Sequence, residues 1–148
     1  MNVFAAVIAG VVGTIVMTMI MVMASKMGMP KMDIVGMLGS MFGKENRAMG
    51  LFIHLMMGAI FALIYAYLWA NGVGSATWHA GLIFGAVHWI VTGMGMAMVP
   101  MMHAGIKSGD VPEPGAFMLK NGGMMAFMGG LMGHMVFGLV VALVYAAF

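Results

Sequence analysis

Two stretches of the chain match closely: GLFIHLMMGAIFALIYA at residues 50–66 and GLMGHMVFGLVVALVYA at residues 130–146. They share eight identical residues in 17 positions without a gap, and His54 falls on His134. A glycine lies four residues to either side of each histidine; the four are Gly50, Gly58, Gly130 and Gly138. The match predicts that one structural unit occurs twice in the chain.

The composition excludes a solvated surface around a soluble core. Of the 148 residues, 64% are hydrophobic and 7% are charged, whereas soluble domains carry roughly a quarter charged residues. All charged side chains fall in residues 26–47 and 107–120. The uncharged stretches between them suit bilayer spans of ~20 residues. The sequence therefore predicts four transmembrane helices, near residues 3–25, 48–70, 77–99 and 122–147.

The internal match organises these helices as two copies of a hairpin. An AG pair at residues 9–10 also matches AG at 80–81, so that the repeats cover about 1–70 and 77–148. Two spans per copy mean that both copies enter the membrane in the same direction. We therefore expect an all-α integral membrane protein with a single domain over residues 1–148, built from two parallel-repeat hairpins.

Positive charge predicts the orientation of the chain. All six lysine and arginine residues lie in the two charged loops, and such loops favour the cytoplasmic side. Loops 26–47 and 107–120 are thus expected in the cytoplasm and both termini outside. With so little chain outside the bilayer, we expect partners among other membrane-protein subunits and lipid, and no nucleic acid.

The glycine-framed histidines allow two interpretations. Residues four apart share a helix face, and glycines let membrane helices approach closely, so His54 and His134 could simply bond across a helix contact. Alternatively, neutral imidazole is a good iron ligand, and the pair could hold a haem b between helices 2 and 4. The framing glycines would then make room for the porphyrin, and Arg47 would meet a propionate.

A third histidine interrupts the symmetry of the repeats. By the looser alignment, His88 in the third span matches Met17 or Thr18 in the first. It is a candidate third cofactor ligand, a proton-relay residue, or a hydrogen-bond partner of a threonine in the spans. The candidate threonines are Thr14, Thr18 and Thr92.

The chain contains 24 methionines, and thioethers are soft ligands that select Cu(I). Two groups with M-x3-M spacing form candidate metal faces, an element that resembles part of eukaryotic high-affinity copper transporters. The alternative is packing, since methionine fills irregular gaps. The candidate ligands are Met94, Met98, Met102, His103, Met124, Met128 and Met132.

Other chemistry is not indicated. The chain has no cysteine, which excludes disulfides and covalent c-type haem. Neither hydrolytic nor nucleotide-binding motifs occur, so we do not expect an enzyme. Three functions stay open: an accessory or electron-transfer subunit of a membrane complex with haem b, a Cu(I)-handling protein, and a purely structural subunit.

One stretch carries a resemblance. The sequence MGMPKMDIVGMLGSMFG at residues 27–43, followed by the H-x3-G span that ends in IYAYL, resembles small four-span bacterial membrane proteins of an uncharacterised family. The resemblance implies a four-helix fold and a bacterial inner-membrane location. It implies no activity and no catalytic residues.

Overall fold

The computed structural model describes residues 1–148 and is helical throughout, without strands. The α-helices are α1 (Val3–Lys26), α2 (Ile34–Gly39), α3 (Arg47–Ala70), α4 (Trp78–Gly95), α5 (Val99–Met102), α6 (Ala104–Lys107) and α7 (Leu119–Ala146). Short 3₁₀ turns at Met96–Met98 and Ala116–Met118 precede α5 and α7.

The four predicted spans are confirmed, because α1, α3, α4 and α7 lie in helical segments long and apolar enough to cross a membrane. The third span runs beyond its predicted end, from Trp78 to Met102, through the first 3₁₀ turn. The fourth is interrupted near its start. Gly123 has a φ of 59° and a ψ of −152°, so the regular helix continues only after it.

The spans form a bundle with uneven spacing. Helix α1 packs against α3 and α7, and α4 packs against α7. Aromatic side chains fill the wider space between α3 and α4. Tyr65 of α3 meets Phe84 of α4 edge-on with ring centroids 5.0 Å apart, and Trp69 lies 5.6 Å from the same ring. Helices α3 and α7 therefore face each other across the bundle.

Glycine permits the closest helix contacts. A Cβ atom added at Gly10 would lie 2.5 Å from the carbonyl oxygen of Gly58, between α1 and α3. One added at Gly81 would lie 2.5 Å from the carbonyl oxygen of Gly138, between α4 and α7. The predicted repeat puts these two contacts at matching positions. Helices in lipid associate through such close approach of small residues.

Helix α2 closes one end of the bundle. Its N-cap, Asp33, accepts a hydrogen bond from the amide of Gly36 at 2.9 Å. The same carboxylate accepts two hydrogen bonds from the Arg47 guanidinium, both 2.9 Å. Gly39 at the end of α2 packs directly on the backbone of Gly50 in α3. The first charged loop is thus tied to the start of α3.

Substituting Gly58 by alanine should destabilise the bundle by about 1–3 kcal/mol, the usual cost of overpacking. The added methyl group would overlap the Thr14 hydroxyl and would lie in tight contact with the Gly10 carbonyl oxygen, 3.0 Å away. Unfolding in mixed detergent and SDS micelles measures the loss. The matched control is Gly95→Ala, where nothing lies within 4 Å of the new Cβ. Equal effects of the two substitutions would contradict the packing role of Gly58.

Substituting Asp33 by asparagine should loosen α2, because it replaces a two-bond ion pair with a neutral contact. The protein lacks cysteine, so a Leu38→Cys variant carries a single thiol at a buried position of α2. We expect its alkylation at pH 7 to accelerate roughly two- to fivefold in the asparagine variant, which corresponds to a partly exposed ion pair. The control is Glu113→Gln, which breaks the 2.8 Å ion pair with Lys120 in the other loop.

The same ion pair should respond to acid. Hydrogen bonds from Arg47 lower the pKa of Asp33 from 3.8 to about 2. Because the folded pKa is depressed, the stabilisation is complete above pH 3.8 and is lost as the pH falls through about 2. A spin label on the thiol of the Leu38→Cys protein should gain mobility across this range when Asp33 is present. A similar gain in the Asp33→Asn variant would rule out Asp33 as the cause.

Candidate functional site

A cavity of about 300 Å³ lies between the four spans and is closed at one end by α2. Its wall is mostly apolar, and its polar side chains are two threonines and three histidines. The histidines come from three helices: His54 from α3, His88 from α4 and His134 from α7. Eight methionines also line it: Met17, Met21, Met32, Met37, Met41, Met57, Met96 and Met118.

The ring of His54 makes no hydrogen bond within the protein, and the indole N–H of Trp89, another cavity residue, also has no partner. His54 is 8% exposed, and hydrogen bonds reach the rings of His88, His103 and His134 but not the ring of His54. Both nitrogens of His54 are therefore without a protein partner.

His88 is held by aromatic neighbours. Its ring stacks on Phe61 of α3 with centroids 3.7 Å apart, and its Nδ1 lies 3.2 Å from the hydroxyl of Tyr65. Of the candidate threonine partners, Thr92 does bond to His88, but to its backbone. The Thr92 hydroxyl donates to the carbonyl oxygen of His88 at 2.9 Å, so the partner of the ring is a tyrosine.

His134 adjoins His88. The two ring centroids are 4.8 Å apart with the planes nearly perpendicular, and Trp89 lies 4.9 Å from the His134 ring. The Nδ1 of His134 is 2.8 Å from the carbonyl oxygen of Gly130, and its Nε2 is 3.3 Å from the Thr92 hydroxyl. Two of the three cavity histidines thus lie side by side next to Thr92.

The histidines share a cavity without forming a ready-made metal site. No three residues among histidine, cysteine, aspartate and glutamate lie close enough together to hold an ion. The arrangement can offer neutral hydrogen-bond donors and acceptors to a molecule surrounded by apolar walls. Pockets that bind small molecules are typically apolar with a few polar groups.

The four glycines that frame His54 and His134 are in contact with other parts of the protein. A Cβ at Gly58 would overlap Thr14 of α1, and one at Gly50 would overlap the carbonyl of Val35. Likewise, Gly138 lies against Gly81 and Gly85 of α4, and the Trp89 ring covers Gly130. In this arrangement the glycines bring helices and side chains together, so the room that a porphyrin needs beside them is filled.

Arg47 is also engaged. Besides Asp33, its guanidinium donates to Glu45 at 2.7 Å. The residue predicted to meet a haem propionate therefore already has two carboxylate partners. The haem site stays a prediction, and it requires both the helices and this ion pair to rearrange.

The methionine faces predicted from spacing lie on the outside of the bundle. Six of the candidate ligands are between 47% and 75% exposed, namely Met94, Met98, Met102, Met124, Met128 and Met132. None of them lines the cavity. His103 is buried, but its Nε2–H donates to the carbonyl of Met37 at 2.7 Å and its Nδ1 accepts from the Ile106 amide at 3.1 Å. That ring connects the start of α6 to α2.

Sequence reasoning misses several residues of the cavity. The pattern singles out Thr92 only as a partner of His88, and it does not distinguish Phe61 and Trp89 from ordinary apolar residues. Tyr65 occupies a repeated position, matching Tyr145, which hides its specific role beside His88. Three methionines of the first loop reach the cavity only through the docking of α2; they are Met32, Met37 and Met41.

Fold and site together define a class: an all-helical protein with four potential membrane spans around a histidine-lined apolar cavity. A family model described as "Family of unknown function (DUF6789)" matches residues 1–148. The chain therefore belongs to the DUF6789 family. No curated protein and no solved structure matches it.

Proposed function

We propose that this protein binds a small, mostly apolar molecule inside its bundle and acts as an accessory subunit of a larger membrane complex. The observation that carries the proposal is His54, a histidine only 8% exposed, with no hydrogen-bond partner and with access to an apolar cavity. An ionisable residue within a membrane span is a functional candidate by default.

The size of the cavity supports a small guest. A cavity of roughly 150 Å³ in another protein binds benzene, and this one is about 300 Å³. It is at the lower end of the range for small-molecule pockets, roughly 300–1,000 Å³. A single substituted ring suits this volume better than a macrocycle does.

The setting that we propose is the bacterial inner membrane, with the two charged loops in the cytoplasm and the termini outside. The charge distribution supports this orientation, and α2 then closes the cavity on the cytoplasmic side. The spans leave two short loops for contact with soluble partners. Other membrane subunits are therefore the partners that we expect.

The first test fills the cavity. We expect 4-fluorotoluene, followed by ¹⁹F NMR in detergent, to bind the wild-type protein, and Met57→Trp to weaken binding at least about tenfold, or 1.4 kcal/mol. Met57 lines the cavity, whereas its neighbour Met56 is 45% exposed and does not. Met56→Trp is thus the matched control. Failure to bind, or equal loss in both variants, would refute the proposal.

A second candidate is Cu(I) handling within the same cavity. The specific observation is that eight methionines and three histidines line it without any carboxylate. Thioether and imidazole ligands favour soft Cu(I) over hard cations, and flexible methionine side chains could close around an ion. The candidate ligands then move from the exposed faces to the interior.

Copper binding makes its own prediction. Under reducing conditions, competition with a coloured Cu(I) chelator should reveal one tightly held ion, and Met17→Leu should weaken it roughly tenfold or more. Met17 is 5% exposed and lines the cavity. The control is Met94→Leu on the exposed face. An affinity for Cu(I) that changes only with Met94→Leu would place the copper site on the exposed face instead. A haem absorption band in the same sample would support the haem hypothesis.

A further inference from the structure

The hydrogen bonds of His134 determine where its proton lies. Its Nδ1 is 2.8 Å from the carbonyl oxygen of Gly130, and a carbonyl oxygen can only accept. Nδ1 therefore carries the hydrogen, and Nε2 of the neutral ring is an acceptor that faces Thr92.

Thr92 cannot satisfy both of its neighbours. Its hydroxyl has one hydrogen, while two acceptors lie near it: the carbonyl oxygen of His88 at 2.9 Å and Nε2 of His134 at 3.3 Å. The shorter contact takes the hydrogen. Nε2 of His134 is then left without a donor.

His88 presents the complementary group. Tyr65 is 3% exposed, and the one hydrogen bond of its hydroxyl is with Nδ1 of His88 at 3.2 Å. Donation from Tyr65 to Nδ1 leaves only the Nε2–H of His88 unpaired, whereas the reverse direction would leave both the Tyr65 hydrogen and Nε2 unpaired. We therefore assign the hydrogen of this bond to Tyr65 and the proton of His88 to Nε2. That N–H has no acceptor within the protein.

The cavity thus holds one free acceptor and one free donor on adjoining rings, whose centroids are 4.8 Å apart. A single hydroxyl group matches both, because its oxygen accepts from His88 and its hydrogen is donated to His134. A carbonyl or ether oxygen matches only the donor. The rest of the wall, with Phe61, Trp89 and Phe137, suits an aromatic ring.

We infer that the guest is a hydroxyl-bearing aromatic molecule, a phenol or hydroquinone, seated with its hydroxyl between His88 and His134. This inference rests on the proposed function, since it names the ligand class of the same cavity. His54 has a further donor and acceptor for a second polar substituent.

The test compares three fluorinated probes of similar size by ¹⁹F NMR: 4-fluorophenol, 4-fluoroanisole and 4-fluorotoluene. Each affinity is corrected for partitioning into protein-free micelles. We expect the phenol to bind about tenfold more tightly than the toluene, since two net hydrogen bonds are gained. The anisole, which accepts but cannot donate, should fall between them.

Two variants test whether the preference for the phenol depends on the Tyr65 hydroxyl. Tyr65→Phe removes the hydroxyl that holds His88 in its donor form, so the preference for the phenol should fall while 4-fluorotoluene still binds. The matched control, Tyr67→Phe, alters a tyrosine that is 60% exposed and should change neither. Retained toluene binding also verifies that the Tyr65→Phe variant is folded.

The outcomes separate the two proposals. Equal corrected affinities for the three probes would overturn the hydroxyl inference and leave the binding function standing, with water pairing the two histidines. A phenol preference that persists unchanged in Tyr65→Phe would overturn it too. Absence of binding by every probe would refute the proposed function, and the inference with it.

Discussion

The structure depends on close approach between helices at glycine. In a bilayer the lipid tails are as apolar as the side chains, so helices gain little from hiding apolar surface and associate through packing. Gly10 meets Gly58 in the first half, and Gly81 meets Gly138 in the second. Between α3 and α4 the spacing is set instead by large aromatic rings. Two tight pairs, joined by the packed contact of α1 with α7 on one side and by the wide contact of α3 with α4 on the other, leave space in the middle.

That space has a mostly apolar wall with a few polar side chains. Three histidines enter it from three helices: His54 makes no hydrogen bond, His88 is paired at Nδ1 with Tyr65, and His134 is paired at Nδ1 with the carbonyl of Gly130. The surrounding methionines are flexible and polarisable, so that the wall can adapt to a guest without losing contact. A rigid wall of branched side chains would fit only one shape.

The spans, and the helix face that each repeated histidine shares with its glycines, could be predicted from the sequence because both depend on local pattern. Apolar runs without charge determine where a chain can cross lipid, and a spacing of four puts residues on one face. Whether the framing glycines make room for a cofactor or contact a neighbouring helix could not be predicted, since a cofactor and a neighbouring backbone both require a small residue there. Tyr65 and Tyr145 show the same limit. Tyr65 bonds to His88, whereas Tyr145 accepts from the amide of Asn2, because the helices that they meet differ.

The position of the methionines is a further limit. Their spacing along a helix predicts that some share a face, but the direction of that face depends on how the helices pack. The faces at 94–102 and 124–132 are exposed, and methionines from the first loop reach the interior. Such a contribution from α2 depends on an ion pair between Asp33 and Arg47 and on a backbone contact between α2 and α3, neither of which periodicity encodes.

Hydrogen bonds from His103 and its neighbour connect the second half of the chain to α2 in the first half. The imidazole bonds the carbonyl of Met37, and the amide of Ala104 bonds the carbonyl of Met41. The segment that closes the first half is therefore held by the linker of the second. Neither half can turn against the other without straining these bonds, so a movement of α2 and a movement of the linker between α4 and α7 are coupled.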